Sequence, residues 1–167
     1  FSRMAAPGAE PKSIFVNAMA TAPFETDIAV AVEGHEAAFQ VGLSLLKRLT
    51  DGRVHLVLPG DRKDLPAALT GAEDVDIHRV TGKHPAGNSS VHIHHLDPIH
   101  PGDVVWTVKA IDLVQIGRLF LHGMLPADRV VALGGPAVNE GARQHYRVHL
   151  GAPLATSSRK CFSCTWV

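Results

Sequence analysis

The sequence predicts a Rossmann-like α/β domain, a parallel sheet with helices packed on it. Three observations carry that prediction. Short β-type runs alternate with helix-type segments along most of the chain. Several of the runs are nearly continuous in Val, Ile and Leu, as strands covered on both faces require. Aromatic residues make up only 5% of the 167, so the core has to be built from aliphatic side chains. That length suits one domain with a proper core.

Residues 1–12, rich in Ala, Pro and Gly, read as a leading linker. Residues 13–152 read as the α/β domain, and residues 153–167 as a tail or the start of a further element. Ser13 to Met19 is the first expected strand, and Thr21 to Glu25 the loop leaving it. Ile28 to Val32 is apolar at consecutive positions and reads as a second short strand, stopped at Glu33-Gly34. A helix is expected over His35–Thr50, where Phe39, Leu43, Leu46 and Leu49 recur at spacings of four and three. Ala38, Val41 and Leu45 widen that stripe, Lys47 and Arg48 suit the negative end of the helix dipole, and Gly52 follows as a stop. Arg53 to Leu58 is a strand closed by Pro59-Gly60, Lys63 to Leu69 a short helix, and Val75 to Val80 a further strand. Asp103 to Val108 is strand-like again. Ile111 to Leu121 is a second good helix, with Ile111, Val114, Ile116, Leu119, Phe120 and Leu121 so distributed that burial on most sides is expected. Gly123 follows it. Arg129 to Leu133 is a strand ending in Gly134-Gly135-Pro136, and Tyr146 to Leu150 one more.

Charge and composition exclude several functions. Sixteen basic residues balance sixteen acidic ones, which gives no electrostatic case for nucleic acid or an anionic membrane. No run approaches the ~18–20 apolar residues of a membrane span. Phe1-Ser2-Arg3-Met4 lacks a signal-peptide core and a conventional start, as a piece of a longer protein would. Cys161 and Cys164 form a Cys-x-x-Cys pair without the second half of a zinc site, and reduced thiols in a cytosolic setting are the expectation.

The stretch from Gly82 to Pro98 is the least like a core. It holds four of the chain's 11 histidines (His84, His92, His94 and His95) together with Lys83, two glycines and Pro85. Gly82 and Gly87 allow close backbone approach, and Pro85 stiffens the turn between them. Asn88, Ser89 or Ser90 suits the cap of a following helical turn, which with Lys83 would make a place for an anion or polar headgroup. A dinucleotide site would need Gly-x-Gly-x-x-Gly after the first strand, but Ala20-Thr21-Ala22-Pro23 stands there. A metal is not expected either. His92 would share a helical face with His95 or a strand face with His94, and no carboxylate joins at an obvious spacing, although Asp97 follows. No Ser/His/Asp arrangement with a nucleophile elbow occurs, and no catalytic residue is assigned. The candidate set for a functional or partner-facing loop is Lys83, His84, Pro85, Gly87, His92, His94 and Asp97.

Lys83-His84-Pro85-Ala86-Gly87, His92-Ile93-His94, Leu96-Asp97-Pro98, Val104-Val105-Trp106 and Arg129 to Pro136 together resemble the NqrA family, a subunit of the sodium-translocating NADH:quinone oxidoreductase. The resemblance runs from about Ser13 to Ala152. It implies a central fragment of a longer, peripheral subunit on the cytoplasmic side of the bacterial inner membrane, docked on the membrane-embedded B subunit. It also implies a likeness to the flavin-binding subunit of complex I and to the C subunit of the ferredoxin:NAD oxidoreductase. The pump so implied passes electrons from NADH to ubiquinone and exports sodium. FAD, FMN and iron–sulfur centres lie in its other subunits, and none is bound by this fragment. Two readings follow: a cofactor-free scaffold and interaction domain lying near quinone, or a flavin- or nicotinamide-binding domain using a non-standard glycine loop at Gly82–Gly87.

Overall fold

The computed structural model describes residues 4–5 and 7–153. Cys161, Cys164 and nearly all of the expected tail lie outside the described residues. Strands β1 (Ser13–Asn17), β2 (Arg53–Pro59), β3 (Asp76–Val80) and β4 (Val105–Lys109) form a parallel sheet in the order β3-β2-β1-β4. That order is the 3-2-1-4 start of a doubly wound sheet. Register sets Phe15 opposite His55 on one side and Thr107 on the other. β1 and β2 are the inner strands, and Ile14, Phe15, Val16, Leu56, Val57 and Leu58 are all fully buried. Burial of each such side chain contributes roughly 1.5–3 kcal/mol, which accounts for the unbroken apolar runs in the sequence.

Alternation along these strands feeds two cores. Ile14, Val16, Leu56 and Leu58 pack with Phe39 and Leu43 of α2 (Glu36–Lys47) and Leu113 and Val114 of α5 (Ala110–His122). Phe15 and Val57 point the other way, onto Ile93 and Leu96 of α4 (Ser89–Leu96). Helices therefore cover both faces, with α4 alone on its side of the described sheet. α2 and α5 approach closely because glycine stands at both contacts: a Cβ on Gly117 would lie 1.7 Å from the Ala38 carbonyl oxygen, and one on Gly42 2.7 Å from Leu113 Cγ.

Two expectations are corrected. Ile28–Val32 is not a strand but a helix, α1. The Asp27 side chain accepts a hydrogen bond from Ala29 N–H, and Ile28, Ala31 and Val32 are buried at helical spacing. β1 already has β2 and β4 on its two edges, so this run has no place beside it in the sheet. The second correction concerns α5. Ala110, Leu113, Val114 and Gly117 are buried, but Ile116, Phe120 and Leu121 are exposed.

The expected short helix shrinks to α3 (Ala67–Thr70), where Leu69 is buried. β5 (Asp128–Ala132) and β6 (His145–His149) leave the parallel pattern and pair antiparallel as a separate two-stranded sheet. Arg118 of α5 holds Asp128 at 2.7 Å, Arg147 joins the same carboxylate at 3.0 Å, and Arg129 pairs with Asp112. The two guanidiniums, Arg118 foremost, keep the Asp128 carboxyl well below the usual carboxylate range.

Candidate functional site

The stretch from Gly82 to Pro98 crosses the sheet from one end to the other. It leaves β3 at the carboxyl edge, turns through Lys83–Asn88, and returns along α4 to Asp97 beside Ser13, the first residue of β1. The seven candidate residues are thus split between the two edges.

At the carboxyl edge the loop is tied to the end of β1. Asn17 Nδ2 donates to the Gly87 carbonyl at 2.8 Å and to Ser89 Oγ at 3.2 Å, while its Oδ1 accepts from Met19 N–H. Gly87 N–H donates to Thr21 Oγ1 at 3.2 Å, and His84 Nδ1 lies 3.3 Å from the same hydroxyl. Gly87 is buried, and a Cβ there would sit 2.3 Å from Thr21 Oγ1. Gly82 has φ +150°, in the region that favours glycine, and the His84–Pro85 peptide is cis. Lys83, His84 and Pro85 are exposed.

His92 is almost completely buried on the inner face of α4. Its Nε2 is 2.7 Å from the Ala86 carbonyl, so Nε2 carries the proton and donates. Nδ1 is buried without a hydrogen-bond partner. Burial lowers the His92 pKa despite the Ala86 carbonyl, and the ring is a neutral strut between helix and loop. His94 faces outward, its ring edge-on to His95. Asn88 holds the N-cap position of α4, but its side chain makes no capping bond.

Asp97 works at the opposite edge. Ser13 Oγ donates to it at 2.7 Å and Lys12 Nζ lies 2.6 Å away, also reaching the Pro98 carbonyl at 3.0 Å. Burial pushes the Asp97 carboxyl up, but the Lys12 and Ser13 contacts outweigh it and the net shift is downward. A second buried histidine, His55, sets Nδ1 3.0 Å from His78 Nε2 on the neighbouring strand. Among the described residues no three His, Cys, Asp or Glu side chains gather as a metal ion would need.

Two hollows open at the carboxyl edge of the sheet. One, of about 370 Å³, lies among Thr21, Asp27, Arg62, Gly82, Lys83 and His84. The other, of about 170 Å³, lies between the ends of β1 and β4, the switch point where α/β folds receive ligands. Lys109 and Glu25 both line it and pair with each other at 3.0 Å.

The element after β1 decides whether a dinucleotide phosphate fits. Such a site needs free amides at a helix start and room for an anion. Here the Asp27 carboxylate takes Ala29 N–H at 2.9 Å, and both its oxygens accept from Arg62 Nη1 at 2.7 and 2.8 Å. Arg62 Nε and Nη2 donate to Asp64 at 3.0 and 2.7 Å. The start of α1 is therefore occupied by an internal carboxylate and its arginine, an arrangement that does not favour a phosphate there. Sequence reasoning missed Asn17, Thr21, Asp27 and Arg62 as members of this region. The one available signal was Asp27 immediately before an apolar run, which is a helix-start pattern.

The family model described as NqrA second alpha/beta domain matches residues 1–125, from the leading segment to the turn after α5. The chain is 45% identical over 136 residues to the NqrA subunit of the Na(+)-translocating NADH-quinone reductase of Alcanivorax borkumensis, covering 81% of this chain and 30% of that protein. The corresponding subunit from Cellvibrio japonicus is 42% identical over 154 residues, with 92% of this chain and 33% of that protein covered. The one from Neisseria gonorrhoeae is 42% identical over 140 residues, with 84% and 31% covered. The chain therefore spans about a third of the length of these relatives. The motif resemblance is borne out over most of the sequence, and the chain belongs to the NqrA second alpha/beta domain family.

Proposed function

We propose that this chain is a scaffold domain, without a cofactor of its own, in the NqrA subunit of a sodium-translocating NADH:quinone reductase. On this reading the isolated chain is inactive. NADH, FAD, FMN, the iron–sulfur centres and ubiquinone react elsewhere in the assembly, which couples NADH oxidation and ubiquinone reduction to sodium export. The observation that carries the reading is the Asp27–Arg62 pair at the start of α1, which does not favour a phosphate there. The names of the relatives support the assembly. The domain sits at the cytoplasmic face, peripheral to the membrane-embedded B subunit; among the described residues no helix is long and apolar enough to cross a membrane. Lys83, His84, Pro85 and His94, exposed and carried on a pinned loop and helix, face the partner and lie near quinone. Gly87, His92 and Asp97 hold that loop and helix in place.

Thermal-shift titration of the chain with NADH, FMN and FAD tests the cofactor-free half. A ligand at 100 times its dissociation constant adds about 2.7 kcal/mol, or roughly 5–10 °C for a chain of this size. No shift is the expected result. A shift, or yellow purified protein, overturns the reading in favour of a nucleotide site at Gly82–Gly87. For the partner half, Lys83→Ala and His94→Ala in the whole complex are expected to weaken assembly or quinone reduction while the domain stays folded. Unchanged assembly and turnover would rule that half out.

A further inference from the structure

We infer that the far end of α5 and the turn after it form the docking face for another folded domain of the same polypeptide. The inference rests on family membership and on the length of the relatives, not on the proposed role in electron transfer.

α2 covers α5 only as far as Gly117, which lies against Ala38 near the start of α2. Leu113 and Gly117 are buried under that contact; Phe120 lies about one turn further along α5, and Gly123 then ends the helix in a left-handed conformation with Met124 directly after it. There the cover stops. Phe120 is 63% exposed, Met124 72% and Leu125 77%, with Leu121 beside them also exposed. Leu150, whose N–H donates to the Ala127 carbonyl at 2.7 Å, is exposed as well. Four large apolar side chains exposed within residues 120–125 are the kind of surface that marks an interaction site.

The chemistry around the patch selects the occupant. Arg118 and Arg147 are both spent on Asp128, and Arg129 on Asp112, so those cations are not offered to lipid headgroups. Five apolar side chains make a small core for an interface with a free partner, which takes about 20–30 residues a side, polar ones included. They suffice for a tethered domain, whose effective concentration is on the order of millimolar and whose interface needs only ~600–1,500 Å². The relatives supply such a tether. This chain matches about a third of each, and its family is described as a second α/β domain, so further polypeptide shares the chain with it.

Amide hydrogen exchange over residues 116–125 tests the inference, comparing the 167-residue chain with the full-length protein. Exchange at least tenfold slower in the full-length protein is expected. Phe120→Asp with Met124→Asp should return the full-length rate to that of the 167-residue chain, while α2 amides stay protected. Should that pair loosen α2, Met124→Ser, outside the helix, takes its place with the same expectation. Equal rates in the two proteins overturn the inference. So does protection of the 167-residue chain that rises with concentration alongside a sedimenting dimer, which assigns the face to a second copy. Protection of the same chain by phosphatidylcholine vesicles overturns it too, assigning the face to lipid.

Discussion

The tie between Gly87 and Thr21 can be broken and partly restored with two substitutions. Gly87 is outside the left-handed region, so alanine there is opposed by contact rather than by backbone strain. Its new Cβ would meet Thr21 Oγ1 at 2.3 Å, Cγ2 at 2.9 Å and Cβ at 3.1 Å. The loop has little freedom to retreat, because Asn17 holds the Gly87 carbonyl at 2.8 Å. Thr21 must rotate instead, which breaks its bond to Gly87 N–H. Overpacking costs about 1–3 kcal/mol and the lost hydrogen bond about 1. Restricting the unfolded chain returns about 0.4–1. Gly87→Ala should therefore destabilise by about 2 kcal/mol. Thr21→Ala alone removes the hydroxyl and costs about 1 kcal/mol. If the two acted independently the double variant would lose about 3 kcal/mol, but Thr21→Ala also removes the two nearest clashing atoms. The double variant should lose only about 1–1.5 kcal/mol, a compensating coupling of roughly 1.5–2. Urea unfolding at unchanged m-value reads all four species. Additive losses, or a Gly87→Ala variant as stable as the parent, would refute the account of how the loop is held.

Other substitutions probe the frame around it. Gly117→Ala places a methyl group 1.7 Å from the Ala38 carbonyl oxygen. Its cost of about 3 kcal/mol should swamp the ~1 kcal/mol gain in helix propensity, and a rise in urea midpoint would show that α2 and α5 are not that close. Asp27→Ala removes the α1 cap and one of the two carboxylates that Arg62 binds, for about 2 kcal/mol in the same assay, whereas Asp27→Asn, which keeps a capping oxygen, should lose about half as much. The buried imidazoles set the pH response. Burial lowers His55 and His92 below the ordinary 6.5, so the unfolded chain takes up protons where the folded chain does not. Stability should be flat above about pH 7.5 and fall as pH drops below about 6.5. A urea midpoint unchanged between pH 7 and pH 5.5 would contradict that.

What could be read from the sequence follows from where each element sits. β1 and β2 are covered on both faces, so their apolar runs are unbroken and legible, and α2 shows the 3.6-residue period of a helix with one buried stripe. Ile28–Val32 is five apolar residues in a row and carries no period. Its helical state comes from the Asp27 cap and from β1 having no free edge, and the second of these is a property of the sheet. The outer end of α5 looked buried because its residues are apolar, yet α2 begins too late to cover it. In the central stretch the composition announced itself, while its division did not. Asn17 and Thr21 are ordinary polar residues at a strand end, and the carbonyl that Asn17 holds lies 70 positions along the chain.

The split of the Gly82–Pro98 stretch changes what its histidines can be used for. His92 and Asp97 point inward or toward β1, one onto a loop carbonyl and one onto Lys12 and Ser13, and each is already engaged. Lys83 and His94, by contrast, project from a loop whose backbone is fixed at Gly87 and from a helix fixed at both ends. A rigid mount lowers the entropy lost when such side chains are captured by a partner. On the proposed reading, with Asp27 and Arg62 paired at the start of α1, the domain has no need to open and close around a ligand. On that reading the same internal ion pair is what makes the carboxyl edge a dependable surface. Losing the Asp27–Arg62 pair should then loosen the loop around Lys83 before it unfolds the sheet, because Arg62 and Lys83 line the same hollow.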